Sequence, residues 1–237
     1  MTSVASSLWR GRSWRERFRD NALSIAALGL FFVTFAAGQT LTGFREYNND
    51  QRAHNEQVVG LGEYLRTGHF REATFENWES EFLQMGLYVL LTAYLVQRGS
   101  AESKKPKDEG DNSQDVNPRT VKITADTPWP VRAKGMWLTL YENSLAIFFM
   151  LLFLFSMLMH ANGGAADYNA EQEQHGEAGG YSTFSYMATA RFWFESLQNW
   201  QSEFLAIASI VLASIWLRQK GSPESKPVHA PYSETGS

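Results

Sequence analysis

Cysteine is absent from this 237-residue chain. That removes disulfides, thiol redox catalysis, Cys-ligated zinc and iron–sulfur clusters, together with the cysteine-pair chemistry of four-helix disulfide-generating membrane enzymes. A net charge of −4 with no basic domain offers no footprint for a phosphate backbone, so no nucleic-acid partner is expected. G-x-S-x-G, H-E-x-x-H and a Walker glycine loop are all missing, and no pair of histidines lies inside an apolar stretch to ligate a haem. His160 stands alone at the end of one such stretch. His69 has no histidine counterpart further along the chain and reads as a solvated loop residue. These absences make an enzyme the weaker expectation.

Averages hide what is present. The chain is 44% hydrophobic with a mean hydropathy of −0.31, yet its apolar residues gather in four blocks, at 22–37, 82–96, 144–159 and 204–217. Each falls short of the ~20 residues that cross ~30 Å of hydrocarbon, so a spanning helix must borrow its flanks. Phe75, Trp78, Phe192, Trp193, Phe194 and Trp200 are suited to those flanks, since an aromatic ring at headgroup level is half dry and half wet.

Basic residues set the orientation. Arg10, Arg12, Arg15, Arg17 and Arg19 precede the first block, and Arg98, Lys104, Lys105, Lys107, Arg119, Lys122, Arg132 and Lys134 separate the second from the third. Arg218, Lys220 and Lys226 follow the fourth, while the other two loops hold only Arg45, Arg52, Arg66, Arg71 and Arg191 against fourteen Asp and Glu. Because Lys and Arg in short loops stay on the cytoplasmic side, both termini are expected in the cytoplasm and two acidic, partly helical loops outside.

The chain also matches itself. At an offset of 122, Asn77-Trp78-Glu79-Ser80-Glu81-Phe82-Leu83 aligns with Asn199-Trp200-Gln201-Ser202-Glu203-Phe204-Leu205, and Gln97-Arg98-Gly99-Ser100 with Gln219-Lys220-Gly221-Ser222. Glu102-Ser103-Lys104 likewise matches Glu224-Ser225-Lys226, and Asn21 and Leu23 match Asn143 and Leu145. The first block is therefore the counterpart of the internal third one, and reads as a retained helix rather than a cleaved signal. Two spans per repeat make the repeats parallel. The expected fold is an all-α membrane protein of four transmembrane helices, built as two parallel two-helix repeats about an axis along the membrane normal.

Five regions follow: a basic cytoplasmic segment at 1–20, repeat 1 at 21–100, a charged linker at 101–135, repeat 2 at 136–222 and a tail at 223–237. Linker and tail are rich in charge, Ser and Pro and are expected to stay solvated and disordered. Trp9, Trp14 and Phe18 among the N-terminal arginines suit a short helix lying on anionic lipid.

Two constellations carry chemistry. In the outer loops, shifting the offset to 121 aligns Glu46 to Glu56 with Asp167 to Glu177 as [DE]-Y-N-x-[DE]-Q-x-x-H-x-E. On helices continued beyond the bilayer, Tyr47, Gln51 and His54 share a face, as do Tyr168, Gln172 and His175. Those faces would form a hydrogen-bonded helix seam through Tyr47, Gln51, Tyr168 and Gln172, or bring His54, Glu56, His175 and Glu177 together around a divalent metal. Glu81 and Glu203 form the second constellation, an ion or proton pair at the edge of the hydrocarbon, or first-turn carboxylates that complement the helix dipole. After each span, Q-[RK]-G-S-x-E-S-K reads as a glycine helix stop and membrane anchor.

With H-F-R-E-A-T-F-E-N-W-E-S-E-F-L-Q-M at 69–85, Q-R-G-S-A-E-S-K at 97–104, F-W-F-E-S-L-Q-N-W-Q-S-E-F-L at 192–205 and R-Q-K-G-S-P-E-S-K-P at 218–227, the chain resembles a family of small bacterial integral membrane proteins known only as a domain of unknown function. That resemblance implies a bacterial inner (cytoplasmic) membrane and brings no activity or cofactor with it. The functional expectation is a structural or accessory multi-pass protein whose partners are the lipid bilayer and a membrane protein or a second copy of itself. A small channel or ion-binding protein is the first alternative, and a metal-binding enzyme or sensor with its site in the outer loops the second.

Overall fold

The computed structural model describes residues 13–110, 115–177 and 179–236, and every regular element among them is helical. Trp9, Arg10 and Arg12 of the expected surface helix lie outside that set. In chain order the helices are α1 (Trp14–Asp20), α2 (Ala22–Ala53), α3 (Leu61–Tyr64), α4 (Gly68–Tyr94), α5 (Trp129–Ala133), α6 (Gly135–Glu142), α7 (Ser144–Gln174), α8 (Thr183–Tyr186) and α9 (Ala190–Trp216). Two compact units result, one ending at Phe70 and the other beginning at Arg71.

Among the described residues, α2 and α7 alone are both long and apolar enough to cross a membrane. Helices α4 and α9 have 27 residues each, about 40 Å at ~1.5 Å per residue, so length is not what separates them. Their N-terminal halves carry charge: Arg71, Glu72, Glu76, Glu79 and Glu81 on α4, and Arg191, Glu195 and Glu203 on α9. The apolar side chains of α7 are left largely uncovered, with Leu151 62% and Phe155 52% exposed.

In the first unit, Ser13 and Glu16 form a reciprocal capping box that starts α1, whose Trp14 and Phe18 are exposed. Helix α2 loosens into a π-helical stretch at Thr34–Thr40 before continuing. Beyond it, Tyr64 is the buried centre, surrounded by the rings of Phe44, Tyr47, His69 and Phe70. The Asn48 amide closes the loop by donating to the Val59 carbonyl (3.1 Å) and accepting from the Val59 N–H (2.8 Å).

In the second unit the matching residues behave alike. Tyr186 is the buried centre with Phe192, Ala161 and Ala165, and Tyr168 packs against it. The Asn169 amide donates to the Tyr181 carbonyl (2.8 Å) and accepts from the Tyr181 N–H (2.9 Å). Helices α4 and α7 approach through small residues, which let backbones close in. A Cβ at Gly163 would collide with the Glu72 backbone, and one at Gly86 would lie 3.0 Å from the Met150 sulfur. Glu72, Glu79, Leu83 and Gly86 are all buried, a stripe at helical spacing along α4.

After α4 and α9, Gln97–Lys104 and Gln219–Lys226 adopt the same turn. The Gln97 and Gln219 N–H groups donate to Ser103 and Ser225 Oγ, each at 2.9 Å, and Gly99 and Gly221 take positive φ of 80° and 84°. The tail, expected to be solvated, is held in place. Lys226 is buried and donates from Nζ to the carbonyls of Pro231, Tyr232 and Glu234 at 3.2, 3.0 and 2.8 Å. The Gly99 N–H donates to Thr235 Oγ1, and the Gly236 N–H to the Ser100 carbonyl. Composition could not show this, because a few backbone hydrogen bonds to one lysine replace the apolar burial the tail lacks. Parts of the linker are similarly tied, through Arg98 to Asp108 and Glu109 and through Lys104 to Asp115.

Candidate functional site

His160, on α7, sits where the Gly163–Ala165 segment brings α4 and α9 close, and it is fully buried. Its Nδ1 lies 2.8 Å from Glu79 Oε2 on α4, while Glu79 Oε1 accepts from Trp200 Nε1 on α9 at 3.1 Å. Both oxygens of Glu79 are thereby engaged as acceptors, so Nδ1 carries a proton; Nε2 bears the lone pair in the neutral ring and a second proton in the charged ring, which the facing Glu195 carboxylate favours. Nε2 is buried and makes no hydrogen bond. Glu195 Oε2 faces it at 3.4 Å, and the Phe192 ring covers the imidazole at 4.9 Å between centroids.

Tyr186, delivered by the short helix α8, links two carboxylates. Its hydroxyl lies 2.7 Å from Glu195 Oε2 and 3.1 Å from Glu72 Oε1. A phenol has one proton to give, so the hydroxyl bridges the two carboxylates, with the shorter contact to Glu195. Burial and the adjoining Glu72 charge push the Tyr186 phenol well above its ordinary value, so it remains a donor. Helix α8 itself is set by a Ser182 cap and by Asn162, which donates to Thr183 Oγ1 at 3.2 Å and accepts from Arg71.

The surrounding shell is acidic. Glu76 accepts from Asn199 Nδ2 at 2.6 Å. Arg191 is the guanidinium bound to the cluster, shared between Glu195 (Nε to Oε1, 2.9 Å) and Glu171, and lying 5.1 Å over the Tyr168 ring. Glu72, Glu79 and Glu195 thus meet one bound guanidinium and one imidazole. Buried carboxylates are costly unless balanced by positive charge, and 3.4 Å from Glu195 Oε2 the Nε2 position can supply it, either as a protonated ring or by holding a cation.

The residues expected from the sequence are placed as follows. His54 and His175 are exposed and end α2 and α7, each followed by a residue of positive φ, Asn55 and Gly176. Glu56 accepts from Gln51 Nε2 at 3.0 Å, while Glu177 is exposed. Tyr47 seats on Tyr64 and His69, and Tyr168 on Tyr181, Tyr186 and Arg191, so each tyrosine packs within its own unit. Gln51 is buried and Gln172 half-buried. Glu81 is exposed and Glu203 half-buried; the two interact electrostatically, and Gln84 donates to the Glu203 carbonyl at 3.0 Å.

Among the described residues, the group able to hold a metal is Glu72, His160 and Glu195, with donor atoms within 4.8 Å of one another. Sequence reasoning passed over it because His160 lacks a histidine partner. One signal was available, since the repeat breaks at these positions. At the 122-residue offset, His160 faces Gly38, Glu79 faces Gln201, Glu72 faces Phe194 and Glu195 faces Ala73, whereas Tyr186 keeps its counterpart in Tyr64. The scaffold is shared by both halves and the charged cluster belongs to one.

The family model described as "Domain of unknown function (DUF6766)" matches residues 14–237. No curated protein and no solved structure matches the chain.

Proposed function

The chain belongs to the DUF6766 family, whose description carries no chemistry, and we propose from its geometry that it is a multi-pass membrane protein that binds a cation in the buried His160–Glu195–Glu72 cluster. In this reading four helices form two parallel repeats in a bacterial inner membrane, with both termini in the cytoplasm, and cation binding gives an accessory or sensing role rather than catalysis. Support for the membrane setting comes from the uncovered Leu and Phe side chains of α7, which a bilayer would cover. Further support comes from the matched turns at Gln97–Lys104 and Gln219–Lys226.

One observation carries the site: a fully buried imidazole, fixed at Nδ1 by Glu79, turns an Nε2 that makes no hydrogen bond toward a carboxylate oxygen 3.4 Å away. The test is thermal unfolding of the detergent-purified full chain against Na⁺, K⁺, Mg²⁺, Ca²⁺, Mn²⁺ and Zn²⁺, with carbonate extraction of membranes to establish integral insertion. A cation that raises the melting temperature of the wild type and not of Glu195→Gln is expected. Indifference to every cation overturns the site, and extraction by carbonate overturns the membrane setting.

Ion conduction is a second reading, favoured by the electrostatic contact between Glu81 and Glu203. Replacing both with Gln is expected to abolish cation flux in liposomes if they line a path, and flux that survives the double change rejects it.

A further inference from the structure

We infer that the cation is a divalent transition-metal ion, held by Nε2 of His160 and by carboxylate oxygens of Glu195 and Glu72, with the Tyr186 hydroxyl beside them; this rests on the cation-site reading above. The first ground is spacing. Ligand atoms at ~2.0–2.1 Å from a tetrahedral zinc stand about 3.3 Å apart, and Nε2 of His160 lies 3.4 Å from Glu195 Oε2. A carboxylate oxygen of Glu72 is within 4.8 Å of the other donors, so closure around a metal requires a side-chain adjustment rather than a backbone one.

The second ground is what stands behind the histidine. A metal-binding imidazole commonly donates its other ring N–H to a carboxylate, which fixes the tautomer and strengthens the donor. Glu79 does this at 2.8 Å, and Trp200 in turn orients Glu79. The third is selectivity: Na⁺, Mg²⁺ and Ca²⁺ prefer shells made wholly of oxygen, whereas an imidazole nitrogen beside two carboxylates suits zinc, manganese, iron or cobalt. The buried Nε2, which makes no hydrogen bond and faces Glu195 Oε2 at 3.4 Å, is the independent sign that a ligand fits there.

The donors come from three helices, α4, α7 and α9, and α8 supplies Tyr186. A bound metal would therefore clamp the outer ends of the helices that carry it, and its loss would release them. The outer-loop histidines His54 and His175 take no part in this site.

Metal analysis and Co²⁺ titration of the detergent-purified full chain test the inference. One metal per chain, with the intense visible absorption of a low-coordinate cobalt site, is expected in the wild type and in a His54→Ala, His175→Ala variant. Glu72→Gln and Glu195→Gln are expected to lose it. Glu79→Gln, which touches no metal, is expected to weaken cobalt affinity about 10–100-fold, an effect that a purely structural ion pair would not give. Should the ligand variants fail to fold, the wild type alone decides through stoichiometry and spectrum. Binding only of Na⁺, K⁺, Mg²⁺ or Ca²⁺ overturns the metal inference while the cation site stands. Binding of no cation overturns both, and metal retained in Glu195→Gln but lost in the double histidine variant moves the site to the outer loops.

Discussion

Nδ1 of His160 lies 2.8 Å from Oε2 of Glu79, and neither side chain retains any surface to solvent. The two residues are 81 positions apart, so the contact fixes α7 against α4 in both register and rotation. Removing Glu79 leaves the buried Nδ1–H of His160 and the Nε1–H of Trp200 without an acceptor, at a cost of about 1–3 kcal/mol each. Glu79→Leu is accordingly expected to destabilise the protein by that order in denaturant unfolding in detergent. Glu79→Gln, which keeps an acceptor oxygen for Nδ1–H, is expected to cost less. Equal midpoints for Glu79→Leu and wild type would show that the pair contributes nothing to stability.

Close approach of α4 and α7 depends on Gly163, where a Cβ would meet the backbone of Glu72. Gly163→Ala is expected to cost about 1–3 kcal/mol through overpacking. Gly29→Ala is the control, since a Cβ there meets nothing within 4 Å, and a helix gains roughly 0.5–1 kcal/mol from the exchange. Similar melting temperatures for the two variants would contradict the packing described for Gly163.

In the turn after α4, burial holds the Glu102 carboxyl above its ordinary value. The Tyr88 hydroxyl, donating at 2.5 Å, works against that rise, and the charge of Glu224, its counterpart in the other matched turn, adds to it. A raised carboxyl contributes stability that is complete below the unfolded value of about 4.3 and is lost as pH rises through the folded value. Thermal stability is thus expected to decline as pH rises from the unfolded value toward neutrality, and Glu102→Gln to flatten that decline. An unchanged pH profile in Glu102→Gln would exclude Glu102 as its source.

Lys226 holds the tail through three backbone carbonyls, and hydrogen bonds to a charged group contribute about 1.5–3 kcal/mol. Limited proteolysis is expected to spare the tail of the wild type and to cleave it readily in Lys226→Met. Cleavage at equal rates would mean that the tail is not docked in solution.

Much of the helical plan was legible because hydropathy and helix signals are local. The apolar blocks at 22–37 and 144–159 lie within α2 and α7, and the glycines of the two Q-[RK]-G-S strings do take positive φ after α4 and α9. The carboxylates at the start of α4 were harder to place, since Glu72 and Glu79 read as a charged flank when only their own segment is considered. Their burial against α7 comes from residues elsewhere in the chain, Gly163 and His160 among them. The tail was misread for the same reason: nothing near Lys226 in the sequence announces that the carbonyls of Pro231, Tyr232 and Glu234 will turn toward it.

By itself the sequence determined the helical class, the approximate helix positions and the matched strings in the two halves, because periodicity, hydropathy and turn chemistry are properties of neighbouring residues. Tertiary structure alone decided where the chemistry lies. His160, Glu79, Glu195 and Tyr186 acquire their roles only when helices far apart in the chain are packed closely enough to exclude water. A lone histidine then becomes one with a committed Nδ1 and an open Nε2.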